Sequence, residues 1–137
     1  MSPASATEDD RWCFACGTEN PIGLRLDFEL DGSGFLLTRF TPGREHQSYA
    51  GRMHGGLVGL VLDELMVRLL HMLGRRALTS EITVRLHRPT PTGHEVLWKG
   101  WIEADRGRVV DTRAEARVAA TGELLATASA RCMRVRD

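Results

Sequence analysis

Asp63 stands seven residues after Gly56 in a long apolar stretch, and that pairing is the first chemistry the sequence offers. The glycines close the run His46-Gln47-Ser48-Tyr49-Ala50-Gly51-Arg52-Met53-His54-Gly55-Gly56, and Asp63-Glu64 follows two helical turns later. A helix beginning at the glycines would present unpaired backbone N–H groups and the positive end of its dipole. Without Cβ atoms there, a ligand can approach the backbone closely. A carbonyl placed at that point would be polarised, and an oxyanion developing on it stabilised.

Helical geometry puts Asp63 on one face with Gly56, Gly59 and Leu60. Its neighbours in sequence are Val61, Leu62, Leu65 and Met66. Desolvation in such company is expected to raise the carboxyl pKa and sharpen it as a base or nucleophile. Glu64 falls on another stripe, with Arg68 and His71 at i+4 and i+7, which reads as an ion-paired interface or surface.

The elements that must position these groups follow from periodicity. Asn20-Pro21-Ile22-Gly23 is a β-turn sequence. After it Leu24, Leu26, Phe28 and Leu30 alternate with polar residues as a strand with one buried face does. A second strand spans Phe35 to Phe40, and the long helix runs from Gly56 until Gly74, a natural C′ residue. The second half is all strand: Ile82 to Leu86, Val96 to Ile102, Val110 to Val118 and Leu124 to about Arg134. Short turns make the sheet antiparallel. A helix apolar on nearly every side needs wide cover, so a sheet of about five to six strands should curl round it in an α+β domain over 12–137. Residues 1–11 read as a flexible tail. The sheet's under-covered side favours a second subunit.

Composition narrows the class. The chain has 137 residues, 42% of them hydrophobic, enough for a single core. Its 18 basic and 18 acidic residues cancel, and no basic tract suggests nucleic acid. The apolar stretch carries Asp63, Glu64, Arg68 and His71, which argues against a membrane span. No secretory signal is visible, and Cys13, Cys16 and Cys132 make no disulfide framework, so the cytoplasm is the expected compartment.

Two further groups bear on chemistry. Cys13-Phe14-Ala15-Cys16 is half of a zinc knuckle, and zinc wants four ligands. Two subunits could supply four thiolates; the plainer reading is small buried residues at a turn with no metal. Arg75, Arg76, Arg85, Arg88, Arg106 and Arg108 are candidates for phosphate contacts, with Arg85 and Arg88 favoured by following the strand beside the site.

His54-Gly55-Gly56 with Asp63 nine residues after the histidine resembles the acyl-CoA thioesterases of the hotdog superfamily, in particular the phenylacetate-pathway branch. His46-Gln47, Gly51 and the opening Cys16-Gly17 … Asn20-Pro21-Ile22-Gly23-Leu24 are similar to that branch as well, and the resemblance covers roughly residues 13–135. It implies a hotdog fold and hydrolysis of acyl-CoA without a cofactor. Asp63 would be nucleophile or general base, with the Gly56 amide and that of Leu57 as oxyanion donors. Gln47 or Ser48 would orient the thioester or water, Thr79 would help place water, and Gly55 would let substrate approach. His54 would either take part in catalysis or hold the glycine loop. The resemblance also implies sites shared across a homodimer, which could pair into a tetramer. Three other readings stay open: an acyl-CoA binder without hydrolysis, a thioesterase acting on carrier-protein thioesters, and a hydratase or dehydratase, whose histidine-and-acid pattern is not matched here.

Overall fold

The computed structural model describes residues 7–136. One antiparallel sheet of six strands, in the order β1-β2-β4-β5-β6-β3, curls round a single long helix. The strands are β1 (Glu29–Leu30), β2 (Leu36–Phe40), β3 (Ala77–Leu86), β4 (Val96–Asp105), β5 (Val109–Val118) and β6 (Leu124–Arg134); the helix, α1, spans Gly55–Met72 between β2 and β3. This is the hotdog arrangement expected from the sequence. Of the expected tail, residues 1–6 lie outside the described residues, and so does residue 137.

The core is built from large residues on the helix and small ones on the sheet. Val58, Val61, Leu62, Leu65, Met66, Leu69 and Leu70 form the buried stripe of α1. Facing them, Ala114 and Ala116 on β5 and Ala126, Ala128 and Ala130 on β6 keep the sheet's inner surface low. Small residues there let the helix settle close to the strands, as dense packing requires. The approach is close at Gly100 of β4, where a Cβ would meet the Leu65 Cβ at 3.3 Å. Trp98 on the same strand is fully buried, and its indole nitrogen has no hydrogen-bond partner.

Both ends of α1 are capped. At the N-terminus the imidazole Nδ1 of His54 accepts the Gly56 N–H at 2.9 Å. At the C-terminus Gly74 takes a positive φ of 76°. Its N–H donates to the His71 carbonyl, and that of Arg75 to the Leu70 carbonyl, closing a Schellman motif. Arg75 also pairs with Asp105 at the end of β4.

One expected strand is only half realised. Leu24 and Leu26 are buried and alternate with exposed Arg25 and Asp27, as periodicity predicts. However, Arg25 sits at φ 53° and breaks the extended run. The Leu24 and Leu26 amides donate to the Phe14 and Ala15 carbonyls, each at 2.9 Å, instead of to the sheet. Only Glu29–Leu30 joins the ladder, opposite Leu36 and Leu37. In the other direction, β3 starts at Ala77, five residues before the apolar alternation that marks it in the sequence.

Two measurements check this packing. Trp98→Ala should cost about 3–5 kcal/mol in urea denaturation. Trp98→Phe should cost far less, because the lost N–H has no partner. His54→Ala should remove the helix cap and cost about 1 kcal/mol by the same assay.

Candidate active site

The buried stripe of α1 leaves the opposite face uncovered. Gly55, Gly56, Leu57, Gly59, Leu60, Asp63, Glu64, Val67 and Arg68 are all partly or fully exposed. Asp63 is therefore half-buried at the border between core and open face, not sealed among the leucines that flank it in sequence. Its partner comes from β3: the Thr79 hydroxyl donates to Asp63 Oδ1 at 2.7 Å. The hydroxyl holds one carboxylate oxygen and leaves the other free for a further contact.

Beneath this pair lies Cys132, opposite Thr79 in the β3–β6 ladder and fully buried. Burial raises its pKa most; hydroxyl contacts from Thr112 and Thr79 lower it, and the Asp63 and Asp111 charges raise it further. The net shift is upward, so Cys132 stays a neutral thiol and packs under the site without acting as a nucleophile.

The start of α1 is held by a compact loop. His54 donates its backbone N–H to the His46 carbonyl, and Met53 donates to the carbonyl of buried Thr90. Gln47 turns back on its own loop, where its side-chain oxygen accepts the Gly51 N–H at 3.3 Å. Ser48 donates its backbone N–H to Arg52 and is exposed. A cleft of about 280 Å³ opens here, with Ser48, Tyr49, Arg52, Gly55, Leu86 and Arg88 among its walls. Tyr49, Arg52 and Leu86 were not singled out from the sequence; their place in the cleft depends on the β3–β4 loop folding back over the helix start.

The helix-start amides are partly engaged. Gly56 donates to the His54 imidazole and Leu57 to the His54 carbonyl, the latter at 2.9 Å. Among the described residues no acceptor takes the Gly55 amide. His54 thus holds the glycine start in position by its own side chain. The structure brings together Asp63 with Thr79, and Gly55 with Ser48 and Arg88. Within one chain Asp63 stays about 10 Å along the helix axis from Gly56.

The arginines divide. Arg88 pairs with Glu123 at 3.3 Å, Arg106 with Asp111 at 3.2 Å, and Arg75 with Asp105. Arg85 is exposed, and by strand alternation it lies on the outer face of β3, away from Val84, which packs against the core.

Glu64 has a partnership that its helical stripe did not suggest. Its carboxylate accepts from the Cys16 thiol at 3.1 Å and lies 3.8 Å from the Cys13 sulfur, not against Arg68. Burial and then Glu64 push the Cys16 thiol well above its ordinary range.

No protein-family model matches the sequence. No curated protein matches it either. Solved structures do. A thioesterase superfamily protein superposes with a TM-score of 0.84 at 24% identity, over 96% of this chain and 69% of its own. The Escherichia coli PaaI protein from the phenylacetic acid degradation operon gives 0.74 at 17%, over 81% and 84%. A Streptococcus mutans protein, smu.793, bound to acetyl CoA, gives 0.74 at 15%, over 80% and 88%. The chain therefore shares its hotdog fold with these solved structures.

Proposed function

We propose that the protein hydrolyses acyl-CoA thioesters, with Asp63 as the reacting carboxylate in a site completed by a second copy of the chain. The observation that carries this reading is the 2.7 Å hydrogen bond from Thr79 to Asp63 on the open helix face. With one oxygen held, the other can take a proton from water as the water attacks the thioester carbon. The tetrahedral intermediate then expels CoA as a thiolate. A thiol leaves readily because its pKa is only about 8–9. No separate general acid is needed, which is consistent with His54 acting as a cap and not as a proton carrier. The structural likeness to a thioesterase superfamily protein, and to a Streptococcus mutans protein bound to acetyl CoA, supports the same substrate class.

Two features favour a shared site. β3 is an edge strand of ten residues that, among the described residues, pairs only with β6. It exposes Leu78, Ile82 and Leu86, at 49%, 38% and 56%. A long apolar edge of this kind invites pairing with another chain. A two-fold pairing of β3 with its copy would bury it and set two helices side by side, antiparallel. The second feature is reach. An attacking carboxylate and an oxyanion donor must each come within about 3 Å of one carbonyl group. An antiparallel neighbour brings the Gly55-Gly56 start of one copy toward Asp63 of the other. There the exposed His54 ring swings aside and the thioester oxygen takes the Gly56 N–H, at a cost of about one hydrogen bond, ~1 kcal/mol. Gln47 and Ser48 border this start, and Arg88 lies at the mouth of the cleft for the nucleotide phosphates. The three free thiols fit a reducing cytoplasm. Among the described residues no helix is long and apolar enough to cross a membrane.

An acyl-CoA panel with a thiol-detecting assay tests the reading. Purified protein should release CoA, and Asp63→Asn should lower kcat by about 10²–10⁴-fold with circular dichroism unchanged. Thr79→Val should lower kcat by about tenfold with little change in KM, because it frees the carboxylate without removing it. Tight CoA binding without turnover would instead favour the non-hydrolytic binder, and turnover confined to carrier-protein thioesters would reassign the substrate.

A further inference from the structure

A second cluster lies on the same helix, one residue from Asp63, and thioester chemistry does not use it. Cys13, Cys16 and Glu64 direct two sulfurs and a carboxylate oxygen to one place, all within 4.8 Å of one another. The Cys16 sulfur is 3.1 Å from Glu64 Oε1, and the Cys13 sulfur 3.8 Å from Oε2. The edges of a tetrahedron of sulfurs around zinc are roughly 3.8 Å, given zinc–sulfur bonds of about 2.3 Å. The three side chains therefore lie close enough for small side-chain adjustments to bring them to three such corners.

The loop that carries the cysteines is shaped for this. It turns tightly between Cys13 and Gly17, where the Gly17 N–H donates to the Cys13 carbonyl at 2.8 Å. A Cβ at Gly17 would lie 2.5 Å from the Cys13 nitrogen and 2.6 Å from the Arg11 and Cys13 carbonyl oxygens. Those neighbours are backbone and cannot yield, so only glycine allows the turn. Glu64 is partly buried, yet no cationic side chain pairs with it among the described residues. Two thiols, which are weak donors, are the partners of this partly buried carboxylate, and a cation would satisfy it more fully.

We propose that Cys13, Cys16 and Glu64 bind a thiophilic divalent cation, zinc by ligand chemistry, that pins the N-terminal loop to α1. On binding, each thiol gives its proton to solvent, and two thiolates and one carboxylate surround the ion. The fourth position opens on a cavity of about 210 Å³, whose wall includes Asp9 and His71. Soft sulfur ligands select zinc over magnesium or calcium. The ion is a structural cross-link and not part of the thioester step, because adjacent helical residues point about 100° apart. This inference stands without the proposed activity.

The test uses the full chain, reduced and stripped of metal with a chelator, then titrated with Co²⁺ and with Zn²⁺. One ion per chain should bind, giving cobalt–thiolate charge-transfer absorption that Zn²⁺ abolishes by displacement. Zn²⁺ should raise Tm, and Mg²⁺ should not. Cys13→Ser and Glu64→Gln should each weaken binding by at least about tenfold. Absence of the cobalt–sulfur band in the reduced wild-type protein would overturn the proposal. So would a band that survives in the double variant Cys13→Ser, Cys16→Ser, or an affinity that Glu64→Gln leaves unchanged.

Discussion

The sheet covers only one side of α1, and the rest of the molecule follows from that. A helix of 18 residues with seven of them buried on one stripe fills the concave sheet. The alanines of β5 and β6 and the glycine at position 100 let it sit close. Closeness on one side leaves the other side exposed. Every polar group of interest on the helix lies there: the glycine start, Asp63, Glu64 and Arg68. Had the whole helix been wrapped, Asp63 would be a buried charge with no route to solvent.

On that open face, neighbouring residues serve different partners. Asp63 turns toward Thr79 of β3, while Glu64 turns toward Cys13 and Cys16 in the N-terminal loop. The first contact holds a carboxylate ready beside an unpaired sheet edge. The second ties the loop, and with it buried Leu24 and Leu26, to the middle of the helix. Glu64 and Asp63 are consecutive residues of α1, so the loop is fastened to the helix beside Asp63 without touching it.

Much of this was legible in the sequence because it is periodic or punctuated. The helix ends where Gly74 says it should, and β4, β5 and β6 follow their alternation to within a few residues. What was not legible depends on contacts between distant segments. The break at Arg25 arises because the Phe14 and Ala15 carbonyls take the amides that a strand would have given the sheet. Glu64 was read against Arg68 and His71 on its own helix, whereas its partners lie 48 and 51 residues away. The early start of β3 carries no apolar alternation, so the family resemblance and not periodicity points to Thr79. The capture of the Gly56 amide by His54 is a side-chain choice that spacing alone does not reveal.

The account rests on Asp63 of one copy working with the glycine start of another, and mixed assemblies test that directly. Asp63→Ala removes the carboxylate. Gly56→Pro removes one amide donor at a helix position where proline is tolerated. Each variant alone should be nearly inactive. Co-expressed in equal amounts and purified without separating the dimers, the two should recover about a quarter of wild-type activity, since half the random dimers carry one intact site of two. Recovery at that level is the predicted result. Mixed dimers that form in the expected proportion yet hydrolyse nothing would contradict the shared site.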